Sequence, residues 1–267
     1  MIRVELTKQV RRLRTYVALG IVALVPVLIT IAFVFGGHPH HAHGEADFFA
    51  VATRSGIDMP LAALTAMEGF LLVVVVALFA GDAVAGEASW GTLRYLLVRP
   101  VSRGRLLAAK LSVAALLSFA ATLVLTLVAL IAGVAAFGWH PIVTPAGLLM
   151  SQGAALARLG LSVVYVSWCM AGVVAFAFML STMTDSSFGA VAGGVALGVV
   201  SEILDAIPAF DSVRYGFPTH YWQAWNALFV PGTSLADMVR GVLIQLAYAG
   251  AFLGIAWWWF GRKDIKS

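Results

Sequence analysis

Apolar runs of about 20 residues recur along this chain, and each is long enough to cross the ~30 Å hydrocarbon core of a bilayer at 1.5 Å per residue. Lipid offers a backbone no hydrogen-bond partners, so such runs are stable there only as helices that satisfy their own amides. The chain has 267 residues, 61% of them hydrophobic and 11% charged, against roughly a quarter charged in a soluble domain. A water-soluble fold cannot bury that much apolar surface. The predicted fold class is therefore all-α, a polytopic membrane protein forming a single transmembrane domain over residues 1–267.

Six spans are predicted, over residues 16–35, 61–80, 106–137, 157–180, 188–207 and 238–260. Residues 1–15 precede them as a basic segment in which Ile2, Leu6, Val10 and Leu13 recur at helical spacing, the pattern of an interfacial amphipathic helix. A basic start followed by an apolar run imitates a signal peptide, but a run of 20 exceeds the 7–15 residues of a cleavable core. The 106–137 run is longer than a bilayer needs and is expected to tilt or protrude. Residues 181–187 form a short polar link that makes spans four and five antiparallel neighbours. Trp257, Trp258 and Trp259 close span six as an aromatic belt.

Lysine and arginine set the orientation, because cytoplasmic loops hold their excess. With six spans, all but Arg54, Arg158, Arg214 and Arg240 of the 17 fall on one side, together with both termini. That side is expected to be the cytoplasm, and the membrane the cell's inner (plasma) membrane. Seven spans would separate the termini and spoil the asymmetry. The formal charge of +4 does not indicate nucleic-acid binding, since the cations sit in short segments between apolar runs and not on one folded face.

Between spans two and three the chain reads GDAVAGEASWGTLRYLLVRPVSRGRLLAAK over residues 81–110. Residues 83–97 can form a short helix with Val84, Trp90, Leu93 and Leu97 on its apolar side. Pro100 would end it, and Ser102 would cap the helix leading into span three. A cytoplasmic helix fastened to two spans can pass a push from a soluble partner into the membrane. The plain alternative is a basic loop that only sets topology.

The arrangement Gly86-Glu87, then Gly91-Thr92-Leu93, then Arg99-Pro100-Val101-Ser102-Arg103 and Lys110 resembles the ABC type-2 permease family. The resemblance extends to the basic N-terminus with Glu5, the 181–187 link and the closing residues 260–265. It implies that residues 81–103 are a coupling element docking on a separately encoded ATP-binding-cassette subunit. Glu87 would anchor that element, Gly86 and Gly91 would allow close approach, and Arg99 and Arg103 would contact lipid phosphates or the partner. Members of that family work as two permease subunits, identical or not, with two ATPases, and most export lipids, glycans, drugs or peptides. An amphiphilic or lipid-like substrate is the expectation here. The chain has no G-x-x-x-x-G-K-[ST] phosphate loop, so no cofactor is expected on it; ATP and magnesium would belong to the partner. Rival readings are a non-transporting assembly or immunity subunit and an intramembrane enzyme, though H-E-x-x-H and G-x-S-x-G are both absent.

Other features have competing readings. His38, His40, His41 and His43 lie just beyond span one, with His140 and His220 on the same side. They are candidate zinc or copper ligands, which would make this a copper-linked permease, or they are histidines tolerated in an outer loop. Glu68 and Glu202 are ionisable groups within or near the membrane, and candidates for lining a substrate cavity, Glu68 paired with Arg158. The alternative is a hydrated outer mouth. The Gly-x-x-x-Gly pairs 189/193, 194/198 and 250/254 permit close helix approach, within one subunit or to a sister. Tyr215, Phe217, Tyr221, Trp222 and Trp225, interrupted by Pro208 and Pro218, predict an interfacial or re-entrant anchor. Cys169, the single cysteine, is a packing residue.

Overall fold

The computed structural model describes residues 1–36, 48–89, 102–144, 149–230, 232 and 234–262. Six helical stretches among them are long and apolar enough to cross a membrane, in agreement with the apolar runs. Helix α1 (Ile2–Val10) leads into α2 (Leu13–Gly36). Pro26 lies inside α2 and removes one ladder donor, and Thr30 Oγ1 donates to the Pro26 carbonyl at 2.8 Å. Short helices α3 (Phe48–Val51) and α4 (Met59–Met67) precede α5 (Leu71–Ser89) and α6 (Arg103–Phe137).

The expected span over residues 61–80 is thus two helices. The chain turns at residues 68–70, where the Glu202 carboxylate lies against Gly69, 2.5 Å from where a β-carbon would stand. A side chain at residue 69 would collide with it. Below this turn α5 runs on to Ser89, so residues 83–89 are not the start of a separate helix as predicted but the last two turns of the span. Asp82 and Glu87 do not stop the helix, because each is met by cations from other elements. Residues 90–97 lie outside the described residues. Ser102 does occupy the N-cap position of α6, without a side-chain capping hydrogen bond.

A small antiparallel pair, β1 (Ile142–Val143) and β2 (Leu149–Met150), follows α6 and joins Ile142 to Met150. The fourth span is bent into α7 (Gln152–Cys169) and α8 (Ala171–Met183) about Met170. At the bend the Gly172 amide donates to Gln245 Oε1 at 3.1 Å; a side chain inserted into a helical ladder is a recognised source of a kink. Ser186 Oγ accepts from the Gly189 amide at 3.2 Å and starts α9 (Ser187–Asp205). Two 3₁₀ segments, Pro208–Gly216 and Trp222–Phe229, lead to α10 (Ala236–Arg262).

Helix α5 is the axis of the bundle, packed between α6, α8 and α9; α2 lies on α6, and α10 lies on α8. In its most apolar window 78% of α5 residues are buried, against 22% for α2 and α9 and 11% for α10. The peripheral helices therefore present apolar side chains outward, as a bilayer solvent requires. Glycines decide the closest approaches. Gly133 of α6 faces Gly56, whose carbonyl stands 2.5 Å from a β-carbon built on Gly133, and the Gly56 amide donates to the Gly138 carbonyl at 3.0 Å. Gly193, Gly194 and Gly198 of α9 pack on Leu180, Ala177 and Val73 of the same chain, whereas Gly250 and Gly254 of α10 face open space.

The aromatic segment before α10, predicted as an interfacial or re-entrant anchor, has an exposed part and a buried part. Tyr215 is exposed, but Trp222, Trp225 and Phe229 are buried. Trp225 stacks on Phe48 with ring centroids 5.4 Å apart. An indole with its N–H satisfied is well placed in a core, and here the segment folds into the mouth of the bundle.

Candidate coupling site at the basic end of the bundle

Helix α1, residues 82–89 of α5, the start of α6, the α8–α9 link and the end of α10 share one end of the bundle. An ion network joins them. Lys110 of α6, with its side chain 1% exposed, donates to Glu5 Oε1 at 2.8 Å and to the Ala83 carbonyl at 2.9 Å. It also pairs with Glu87 Oε2 at 2.7 Å. Lys8 pairs with the other oxygen of Glu87. One turn and a half earlier, Asp82 receives Arg12 at 2.6 Å, Arg14, and the Ser187 hydroxyl at 2.6 Å.

Burying a charge is tolerated when it is paired and hydrogen-bonded, and here each carboxylate has at least one cation. Asp82 and Glu87 therefore clamp α1 and the start of α2 to the core helix, through residues about 70 to 80 positions apart in sequence. Gly86 makes room for this: a β-carbon there would stand 2.7 Å from the Asp82 carboxyl carbon. Ser181 Oγ accepts from the Val84 and Ala85 amides at 3.0 and 2.9 Å, stitching α8 to the same turn.

The polar face of α1 is the one that docks. Glu5 and Gln9 are buried while Ile2, Val4 and Val10 are exposed, which turns its apolar edge outward, as an interfacial helix needs. Arg103 donates to the Phe260 and Gly261 carbonyls at 3.4 and 3.3 Å, supporting the C-terminal end of α10, where cations are favoured. Glu87 is not on an open surface; it is 2% exposed and holds Lys8 and Lys110. Gly91, Thr92, Leu93, Arg99 and Pro100 lie outside the described residues.

At the opposite end, Glu68 is buried and accepts from Trp225 Nε1 at 3.0 Å. The expected Glu68–Arg158 pair is not formed. Arg158 donates instead to the Leu228 carbonyl at 2.5 Å, because the 3₁₀ segment that carries Trp225 occupies the space between them. Glu202 is exposed and lies beside Gly69, so the two carboxylates adjoin the same turn. Asp205 pairs with His220 at 2.6 Å and Arg214 at 3.6 Å. His38, His40, His41 and His43 lie outside the described residues, among which no three potential ligands converge on a metal position.

Sequence reading missed Asp82 and Gln245 as organising residues. Asp82 was discoverable as a charge five residues before Glu87 in an otherwise apolar helix, facing an N-terminus with surplus cations. Gln245 carried no such signal. It bridges the Gly172 amide and the Pro218 carbonyl, the latter at 2.6 Å, and nothing local marks that role.

Helices of this number and length, with apolar side chains turned outward on the periphery, define a polytopic all-α membrane protein. The chain belongs to the family described as protein of unknown function DUF2705, whose model matches residues 28–266. It is also similar to the uncharacterized membrane protein YdbK of Bacillus subtilis (strain 168), with 26% identity over 204 residues, covering 73% of this chain and 78% of that protein.

Proposed function

We propose that this chain is the membrane-spanning permease subunit of an ATP-binding-cassette transporter, exporting an amphiphilic or lipid-like substrate from the inner membrane. A separate ATPase supplies the energy, with two copies of it serving a pair of permease subunits; ATP and magnesium reside there and this chain is not itself an enzyme. Both termini and residues 81–103 face the cytoplasm in this reading.

The observation that carries the proposal is the Glu5–Lys110–Glu87 cluster. It ties α1, α5 and α6 together beside the segment that resembles a coupling element. Displacement of that segment would reach the core helix α5 through buried, paired charges and not through a loose loop. Stiff linkage of this kind is what transmission of a push requires, since packed cores move as discrete units.

The test is affinity capture of the tagged chain from gently solubilised native membranes, followed by mass spectrometry and ATP hydrolysis in nanodiscs with a panel of amphiphiles. An ATPase is expected to co-purify, and its hydrolysis to rise with one class of amphiphile. Glu87→Lys is expected to abolish the stimulation while the protein stays inserted. Capture without any ATPase would overturn the reading.

A further inference from the structure

Between α7 and α10, in the half of the bundle away from the ion network, an open groove of about 740 Å³ runs along the protein surface. Leu161, Val164 and Trp168 form one wall and Leu235, Val239 and Val242 the other, with Phe119 and Leu228 also lining it. On the second wall the lining residues recur at helical spacing from Leu235, just before α10, to Val242, roughly 11 Å of helix. The volume is within the ~300–1,000 Å³ of small-molecule sites.

The polar atoms along the walls are already used. Tyr165 Oη donates to the Tyr221 carbonyl at 2.7 Å, Trp168 Nε1 to the Val242 carbonyl at 3.2 Å, and Ser167 Oγ to the Val163 carbonyl at 2.7 Å. The groove offers a ligand nothing but hydrocarbon contact. Its outer end is different. Arg158 lies three residues before Leu161 and is exposed, with one guanidinium nitrogen held by the carbonyl of the lining residue Leu228 at 2.5 Å. Among the described residues no carboxylate forms an ion pair with Arg158, and Asp237 at the start of α10 is paired with Arg240 at 2.9 Å.

We infer that this groove seats an acyl chain of an anionic phospholipid whose headgroup phosphate is held by Arg158. A guanidinium presents several donors in a fixed fork suited to phosphate, and an apolar trough within a bilayer is filled by lipid chain unless protein covers it. The charge at one end and the absence of free polar atoms along the walls select an anionic amphiphile over a neutral solute. The inference needs only the membrane location of the chain and not an ATPase, so it stands or falls apart from the transport reading.

Native mass spectrometry of the delipidated protein in detergent, with phosphatidylglycerol or phosphatidylcholine added, tests it. The wild type is expected to retain one phosphatidylglycerol and to prefer it to phosphatidylcholine by about tenfold, because both phosphates can accept from Arg158 but the choline cation offsets the charge of its own phosphate beside the guanidinium. Arg158→Gln is expected to lose the preference and keep weak binding of both lipids. Val242→Trp, which fills the trough, is expected to lose both. Leu161→Trp does the same from the opposite wall and serves if the first variant does not elute as a single species. Equal retention of the two lipids by wild type and Arg158→Gln would reduce the binding to annular lipid and overturn the inference. So would a filled-groove variant that keeps its lipid, or one that instead converts a dimer to a monomer, since a second copy would then be the occupant.

Discussion

Lys110 and Glu87 form an ion pair of 2.7 Å in which the two side chains are 1% and 2% exposed. Neither would be stable at that depth alone, because an unpaired buried charge costs several kcal/mol. Lys110→Met is therefore expected to destabilise the protein by about 3–5 kcal/mol, seen as a lower thermal midpoint in detergent. Adding Glu87→Leu and Glu5→Leu to that variant should recover much of the loss. A triple variant no more stable than the single one would show that the charges do not act as a unit.

The clamp on α2 gives a second expectation. Asp82→Asn removes the charge that holds Arg12 and Arg14 but leaves an acceptor for the Ser187 hydroxyl. Loss of charge-assisted hydrogen bonds of this kind costs roughly 1.5–3 kcal/mol, and here the penalty is local. Trypsin is expected to cleave at Lys8 and Arg11 faster in the variant, with the bundle thermal midpoint lowered less than by Lys110→Met. Unchanged cleavage would show that α1 is held by other contacts.

Two glycines on different helices separate packing from exposure. Gly133→Ala places a methyl against the Gly56 carbonyl and the Met59 side chain, both within 2.6 Å, and is expected to cost about 1–3 kcal/mol as overpacking. Gly254→Ala meets nothing within 4 Å and is expected to leave the monomer's thermal midpoint unchanged. A fall in oligomeric state for Gly254→Ala alone, read by light scattering, would identify the outer face of α10 as a subunit contact.

Asp58, buried just before α4, finds no donor among the described residues for either carboxylate oxygen. Burial pushes its pKa up to about 7, against a smaller opposing pull from Arg54. The unfolded chain ionises this group near pH ~3.9, so between about pH 4 and 7 the folded state binds the extra proton. Stability then falls as pH rises through that window, by up to about tenfold in the folding equilibrium per pH unit, and is flat on either side. Thermal midpoints of wild type and Asp58→Asn should draw apart as pH rises from about 4 to 7, the variant lacking this fall, and keep a constant separation above that window. Parallel profiles would remove Asp58 as the cause.

Much of the architecture was legible along the chain. Apolar length alone places α2, α6, α9 and α10 to within a few residues, and the lysine and arginine distribution predicts that α1 and the end of α10 share one end of the bundle with residues 82–89 and 103–110, as they do. What local pattern could not reveal is where a polar residue inside an apolar run finds its partner. Glu68 reads as half of a pair with Arg158, yet its donor is Trp225, 157 positions away. Asp82 and Glu87 read as the edge of a loop, yet they continue a helix.

That this is a helical membrane protein follows from the length and hydrophobicity of each segment taken alone, since burial in lipid depends on nothing further along the chain. Packing in three dimensions makes α5 the axis, sets Gln245 at the bend by Gly172, and brings Glu5, Lys110 and Glu87 together to lock the N-terminal helix to two spans. The bend and the lock rest on hydrogen bonding and charge neutralisation that reach across 73 residues from Gly172 to Gln245 and 105 from Glu5 to Lys110. Pairings at that separation leave no trace in the local periodicity from which spans are read.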